Sequence, residues 1–507
     1  MSHNAIVRQE AGCDGCGVCV AACPQLVYAP ASRGEPPRLA HPERCFGCLA
    51  CEEECPRRVL RVHRLPAGMS LAELPPPGLG LDRERPYDLV VVGAGPAGLG
   101  AALRGRALGL TVAVLDRLPS PRRAHHPDGG LLISAPDLYR LTDTGHGLRL
   151  AELDLQLPAD LVVEELTDFW FAGPSGQRTA RHGRTDVRFP VIDKDRFVEA
   201  LAAAAVDRGA TLAWNTRACE IGPPDPDGLR RVALADGGEV VARVVVAAEG
   251  IGGWLAEAAG LPVNARTQAW SVAPYVSLPP LARPTGEAGF AVGEGPGRAP
   301  GELLPYLAYL STGPHATHVS AGPLITERFP RATRPSTTVL ADFAAQDPLL
   351  CGLLGERPDL AAGHVDGCRV RLREVPGTFV GPSLIAVGDT ITTCGMITNV
   401  LALKTGDLAA QVAAAALREG GATAARLAGY GRQVRKLSIF RGLPWMSSLL
   451  CAGLELPRPR LDRLFDLLRP LPLGLVQAGR VAPLVRFYLR ILPTLLRDRE
   501  LRRFLIP

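Results

Sequence analysis

Residues 88–116 read DLVVVGAGPAGLGAALRGRALGLTVAVLD, and this stretch decides the fold of the main body. Residues 88–92 form a short apolar run of the kind a buried parallel strand needs. Gly93-Ala94-Gly95-Pro96-Ala97-Gly98 follows and matches G-x-G-x-x-G. The Ala- and Leu-rich residues 98–108 predict a helix, Gly109 stops it, and residues 111–115 predict a second strand closed by Asp116. Gly93 permits the tight turn, Gly95 lets a pyrophosphate approach the backbone, and Gly98 lets helix and strand pack closely. With Pro96 and Ala97 these glycines open a helix whose free N–H groups attract phosphate. Asp116 stands where a carboxylate accepts hydrogen bonds from an adenosine ribose, and Arg117 next to it is a further candidate contact. The fingerprint by itself leaves FAD and NAD both open.

Ahead of it lies a different kind of sequence. Of the 13 cysteines, eight fall between residues 13 and 55. They read Cys13-x2-Cys16-x2-Cys19-x3-Cys23-Pro24 and Cys45-x2-Cys48-x2-Cys51-x3-Cys55-Pro56. A chain of 507 residues predicts two to four domains with an ample core, so this density points to metal ligation rather than disulfides. The doubled C-x2-C-x2-C-x3-C-P run resembles a bacterial ferredoxin with two [4Fe–4S] clusters. Zinc sites or a cluster-free relic are the competing readings. The resemblance implies that the fourth cysteine of each run serves the other cluster: Cys13, Cys16, Cys19 and Cys55 on one, Cys45, Cys48, Cys51 and Cys23 on the second. A segment this short has little core, so bound clusters must supply much of its folding energy. Residues 63–86, with Pro75-Pro76-Pro77-Gly78, read as a semi-rigid connector.

Downstream, residues 191–210 predict a helix, and residues 239–248 predict a strand leading to Glu249-Gly250-Ile251-Gly252-Gly253, a second glycine-rich turn. Residues 270–324 alternate short apolar runs with turns, which predicts an antiparallel sheet. Tyr306 and Tyr309 lie in one of its strands, either as packing or as lining of a substrate cavity. Residues 384–390, LIAVGDT, predict a buried strand ending in Gly388-Asp389, followed by Cys394-Gly395-Met396-Ile397 and a helical run at 399–417.

Four landmarks in order, GAGPAG at 93–98, IDKDRF at 192–197, VVVAAEGIGG at 244–253 and AVGDT at 386–390, resemble the FAD-dependent flavoproteins of p-hydroxybenzoate hydroxylase type. Within that superfamily the chain looks most like the geranylgeranyl reductase family, with electron-transfer-flavoprotein:quinone oxidoreductase as a relative. The resemblance spans about residues 87–435. It implies FAD at the first fingerprint, with Asp116 on its ribose and Gly388 and Asp389 against its ribityl-pyrophosphate. It implies Gly395, Met396 and Ile397 near the isoalloxazine, and cofactor contacts from Lys194, Arg196 and Gly250. Asp128 stands where these reductases commonly carry cysteine, and with Tyr306 and Tyr309 it is a candidate proton donor.

The implied fold is α/β. It comprises a two-cluster ferredoxin-like α+β domain (1–62), a connector (63–86) and a Rossmann-like FAD domain (87–134, 190–260, 380–431). A substrate domain is inserted at 135–189 and 261–379, and a helical C-terminal region occupies 432–507. The last region holds 15 basic and 5 acidic residues, a net +10, against +5 for the whole chain. Its amphipathic stretches read either as helices for an anionic membrane surface or as a subdomain with solvated arginines. The overall charge carries no nucleic-acid footprint. No signal peptide or 18-residue uncharged apolar run is found, giving a cytoplasmic expectation with peripheral contact at the inner membrane face.

The expected activity is reduction of carbon–carbon double bonds in a lipophilic isoprenoid or polyene substrate. Electrons would come from an external ferredoxin or reductase through two [4Fe–4S] clusters to FAD. The alternative is an electron carrier to membrane quinone. An FAD monooxygenase fits less well, because a flavin reduced directly by a nicotinamide needs no one-electron relay.

Overall fold

The computed structural model describes all residues except 1–2, 33, 66–67, 122–136, 146, 177, 180–188, 265–266, 283, 297–302, 314, 326–332, 355–359, 361–362, 374, 392–398, 438–439, 441–451, 453–454, 472–480 and 506–507. The dinucleotide unit is built on an eight-stranded sheet. Thr211–Ala213, Val112–Leu115, Tyr87–Val92, Glu239–Ala247 and Leu384–Ala386 run parallel in that spatial order. Arg230–Leu234 and Ala218–Ile221 extend the sheet antiparallel beyond Glu239–Ala247. The central parallel strands are buried on both faces, which is why they are continuous apolar runs rather than alternating ones.

Helix Pro96–Ala107 starts at Gly95, with Pro96 in its first turn. It packs on the 20-residue helix Asn399–Arg418 along small residues: a Cβ on Gly100 would overlap the Leu403 carbonyl, and one on Gly406 the Ala97 carbonyl. Asn399–Arg418 is, among the described residues, the one helix long and apolar enough to cross a membrane, and most of it is buried inside the protein. Its Asp407 is fully buried, receiving Arg104 Nε at 2.5 Å, the Tyr139 hydroxyl at 3.0 Å and Gln411 Nε2 at 2.8 Å. Helix Lys194–Asp207 is capped by Asp193, whose carboxylate accepts the Arg196 N–H.

The second sheet has seven strands. Thr267–Leu278, Glu287–Pro296, Leu303–Thr312, Thr317–Pro323 and His364–Arg373 pair antiparallel, and Asp168–Ala172 joins parallel to Glu287–Pro296. One face packs Trp170, Val276, Leu310 and Tyr306 under helix Ser336–Gln346. The other carries Phe169, Phe171, Phe290 and Tyr309 toward the core shared with the dinucleotide unit.

At the N-terminal end His3–Arg8 pairs antiparallel with Leu60–Leu65, so the ferredoxin-like strand continues to Leu65, three residues into the stretch read as connector. Between these strands sit helices Val18–Ala22 and Ala50–Glu53, around a small core in which cysteines stand among Val20, Val27, Leu49 and Val62. The connector is pinned rather than loose: Gly78 N–H donates to Thr216 Oγ1 at 2.7 Å, and Asn215 Nδ2 donates to the Pro75 carbonyl at 2.9 Å. C-terminal helices Arg458–Leu468, Val481–Arg497 and Arg499–Leu505 add Phe465, Phe487, Leu495 and Leu501 to the main core.

Candidate functional site

The eight N-terminal cysteines are sorted by the fold into two sets around two separate small cavities. Cys13, Cys16, Cys19 and Cys55 line one, and Cys23, Cys45, Cys48 and Cys51 line the other. Two local devices make the chain wrap this tightly. Gly17 (φ 75°) and Leu49 (φ 64°) hold the same left-handed position before the helices Val18–Ala22 and Ala50–Glu53, so the two halves repeat in backbone as well as in sequence. Sulfur acceptors are already engaged: Val27 N–H approaches Cys23 Sγ at 3.4 Å and the Tyr28 hydroxyl approaches Cys51 Sγ at 3.3 Å. Burial, with the neighbouring sulfurs, pushes the Cys19 thiol up to about 11, and burial pushes Cys45 to about 11 and Cys48 to about 12. Thiolates are therefore favoured there only with a cationic group among them, and binding it releases protons. No three Cys, His, Asp or Glu side chains among the described residues converge on a single ion. Four sulfurs ringing a cavity suit a multi-atom cluster instead.

A cavity of about 570 Å³ lies where the N-terminal module meets the dinucleotide fold. Gly93, Gly95 and Asp116 form one wall, Glu249 and Gly250 another, and Glu54, Cys55 and Pro56 a third. Gly93 has φ 109°, a conformation only glycine adopts freely, and a Cβ there would overlap the Ala248 carbonyl. A Cβ on Gly98 would overlap the Gly93 carbonyl, whereas Gly95 faces open space. Asp116 is buried and ties the loop, accepting Ala94 N–H at 2.7 Å and Leu118 N–H at 2.8 Å. An open glycine beside a helix N-terminus, with a carboxylate at the far end, fits a dinucleotide.

Three further sequence candidates meet beside this cavity. Gly388, in the turn Gly388–Ile391, has φ 60° and abuts Ala97 at the start of the fingerprint helix, with Asp389 next to it. Thr390 Oγ1 in the same turn donates to the Gly250 carbonyl at 3.2 Å. Lys194 and Arg196 do not join them. Both lie in the first turn of helix Lys194–Asp207, and the Arg196 guanidinium pairs with Asp160 and Asp193. Tyr306 and Tyr309 are three residues apart in one strand and so take opposite faces. Tyr306 is fully buried, stacks on Phe343 at 4.5 Å and donates to the Pro296 carbonyl at 2.8 Å, which removes it from any cavity shared with Tyr309. Tyr309 instead stands 5.2 Å from Phe290 and 6.2 Å from Tyr275. Burial pushes its hydroxyl up to about 12, so it stays protonated at neutral pH. Asp128, Gly395, Met396 and Ile397 lie outside the described residues.

The structure adds groups that sequence reasoning did not single out. Glu52 and Glu53, at the end of the ferredoxin-like helix, are buried between the two halves of the molecule. Arg117 Nη1 reaches Glu52 at 3.2 Å and Nη2 reaches Glu53 at 3.0 Å. Arg217 also pairs with Glu52, and Arg369, from strand His364–Arg373, grips Glu53 with both terminal nitrogens, one at 2.8 Å. Arg117 thus bridges modules as well as lining the cavity. Burial opposes the charge on Glu53, yet Arg369 and Arg117 hold its carboxyl down at about 2. Glu249 is the converse: burial pushes it up to about 6 although Leu255 and Ala256 N–H both donate to it at 2.8 Å. Arg371, buried over the Trp270 ring at 3.9 Å, donates to the Gly252 carbonyl at 3.1 Å and so clamps the second glycine turn to the sheet. The one hint in the sequence was Glu52-Glu53-Glu54, a run of acids inside a cysteine motif.

Two family models match the chain, one on the N-terminal module and one on the dinucleotide fold. Residues 5–56 match the 4Fe-4S dicluster domain and residues 86–296 the FAD binding domain. A menaquinone reductase of Mycolicibacterium smegmatis is 25% identical over 360 residues, 66% of this chain and 77% of that protein. A digeranylgeranylglycerophospholipid reductase of Methanothermobacter thermautotrophicus is 26% identical over 366 residues, 69% and 82% of the two chains. Among solved structures, a geranylgeranyl bacteriochlorophyll reductase-like protein of Thermoplasma acidophilum superposes with TM-score 0.57 at 19% identity, over 81% of this chain and 99% of that one. A p-nitrophenol 4-monooxygenase of Pseudomonas putida shares the fold with TM-score 0.54 at 18% identity, over 79% and 97%. The chain joins a 4Fe-4S dicluster domain to an FAD binding domain and is an FAD- and iron–sulfur-dependent oxidoreductase, similar to the menaquinone and digeranylgeranylglycerophospholipid reductases named above.

Proposed function

We propose that this oxidoreductase reduces carbon–carbon double bonds of a lipophilic isoprenoid or polyene substrate, fed by single electrons through two [4Fe–4S] clusters. The observation that carries the relay is the shared wall: Cys55 and Pro56 line the same cavity as Gly93, Gly95 and Asp116. Cys13, Cys16, Cys19 and Cys55 would hold one cluster and Cys23, Cys45, Cys48 and Cys51 the other. The fingerprint from Gly93 to Gly98, with Asp116, Gly250, Gly388 and Asp389, would hold FAD; Gly395, Met396 and Ile397 follow in sequence. The chemistry these groups supply when bound is one-electron transfer and its pairing into a two-electron reduction. Cys16 is exposed, which gives an external ferredoxin or reductase a point of approach. Phe290 and Tyr309, half-buried on the sheet face turned toward the dinucleotide unit, are the side chains on this face that a polyene would meet, with the protonated Tyr309 hydroxyl as a proton source. Named relatives support a lipid substrate, one acting on menaquinone and one on a geranylgeranyl lipid.

The second reading, electron delivery to a membrane quinone, is favoured by the exposed apolar helix described below. One experiment separates them. Protein reduced anaerobically with dithionite is offered a polyprenyl lipid and, separately, a quinone. Uptake of two hydrogens by the lipid, seen by mass spectrometry, is expected; reoxidation by quinone alone, with no saturated product, overturns the reductase reading. For the clusters, about eight irons per chain are expected from eight ligands. Cys13→Ala and Cys45→Ala should each abolish one cluster's paramagnetic signal and spare the other. Loss of both signals in a properly folded variant would contradict the grouping.

A further inference from the structure

We propose that the outward face of helix Val481–Arg497 is a docking face for an anionic lipid bilayer. The helix divides lengthwise into three adjoining stripes. Phe487, Ile491 and Leu495 are buried against the main core and hold it rigidly in place. On the opposite side Val485, Leu489, Leu492 and Leu496, spaced four, three and four residues apart, form one exposed row; Leu489 and Leu496 are each 64% exposed. Between the two, along one flank of the apolar row, stand Arg486, Arg490 and Arg497, all exposed and in no ion pair among the described residues.

An ordinary soluble helix buries its apolar stripe and shows its charged one. This helix buries one apolar stripe and displays a second. Such a row, spanning roughly 16 Å at the rise of an α-helix, invites a partner. Charge complementarity selects which. The row and its flank carry no carboxylate, and arginine next to leucine suits the boundary between acyl chains and anionic headgroups, where the apolar stem lies with the chains and the guanidinium reaches phosphate. A second copy of the chain would bring its own arginines to the contact with no acid to meet them. Pro493 and three arginines within 17 residues also make this a helix that lies on the bilayer rather than one that crosses it.

The inference rests on the proposed lipid substrate for its purpose, not for its evidence, and the test keeps the two apart. The loaded full-length protein is sedimented with phosphatidylcholine vesicles, with and without phosphatidylglycerol. The same is done for Leu489→Ser/Leu496→Ser and for Arg486→Gln/Arg490→Gln/Arg497→Gln. All substituted side chains are exposed, so flavin and cluster absorbance and elution volume are expected unchanged. The parent protein should pellet with anionic vesicles. The leucine variant should stay in the supernatant, and the arginine variant should lose its preference for phosphatidylglycerol by roughly a hundredfold. A parent protein that never pellets, or a leucine variant that pellets like the parent, overturns the proposal. So does a parent dimer that the leucine variant turns into a monomer. Vesicle binding without saturation of any polyprenyl lipid sinks the substrate reading and leaves the docking face standing.

Discussion

Replacing Glu53 by alanine is expected to loosen the junction between the two halves of the molecule while the clusters stay bound. Glu53 is buried and pairs with Arg117 of the dinucleotide unit and Arg369 of the second sheet. Its loss leaves two guanidiniums, with Arg217 beside them, facing each other out of water. Breaking a buried pair in this way costs about 3–5 kcal/mol, far more than the net worth of the pair. Glu53 lines neither cysteine cavity, so iron content should hold, and added FAD keeps the flavin site filled. The expected result is slower flavin bleaching after the clusters are reduced in a stopped-flow experiment, by a factor of roughly a hundred given that energy and the tether's effective concentration. Faster hydrogen exchange is expected at residues 48–54 and 367–371. Glu53→Asp, which keeps the charge, should recover part of the rate. Unchanged bleaching in the alanine variant would show that this junction does not set the transfer path.

The glycines of the fingerprint make an equally large and more discriminating prediction. At Gly98 a methyl group would overlap the Gly93 carbonyl, and at Gly406 it would overlap the Ala97 carbonyl. Both obstacles are backbone, so neither can swing aside. Gly98→Ala and Gly406→Ala should each cost about 1–3 kcal/mol or more in stability. At Gly95 the backbone has φ −75° and a Cβ meets open space, so Gly95→Ala should melt like the parent. The open space, however, is where pyrophosphate must approach. Gly95→Ala should therefore purify folded with its clusters but largely without flavin. Flavin-to-protein absorbance and thermal melts with and without added FAD check both halves. A Gly95→Ala protein with full flavin content would show that the cofactor does not use this loop.

What was legible in the chain was what is local. The fingerprint strand, turn and helix lie within 30 residues, and their chemistry depends on spacing that sequence displays directly. The same holds for the cysteine runs and for the helix–strand assignments around 194–213 and 384–386. The junction was not legible because its partners are far apart in the chain: Glu53 meets Arg369 across 316 residues, and Glu52 meets Arg217 across 165. Nothing in a run of acids says which arginines will close on it. Tyr306 and Tyr309 were hard to read for a different reason. Strand alternation places them on opposite faces, but only the docked helix Ser336–Gln346 decides which face is the core and which looks toward the flavin fold. The surroundings of Arg196 are equally hidden in the sequence, where nothing shows that its guanidinium meets both Asp160 and Asp193.

The large cavity has two owners. Gly93, Gly95, Asp116, Glu249 and Gly250 of the dinucleotide unit line part of it and residues 52–56 of the N-terminal module another part. Neither half completes it alone, so maturation has an order built into it. A nascent chain exports the cysteine module first, and that module needs iron and sulfide before it has a shape to dock with. Flavin bound before docking lies in a groove that lacks residues 52–56, and docking adds them along one side. Iron supply is thereby expected to affect flavin retention, although no cysteine belongs to the dinucleotide fingerprint. Cells starved of iron should accumulate this chain with its yellow colour loosely held, and restoring iron should fix both.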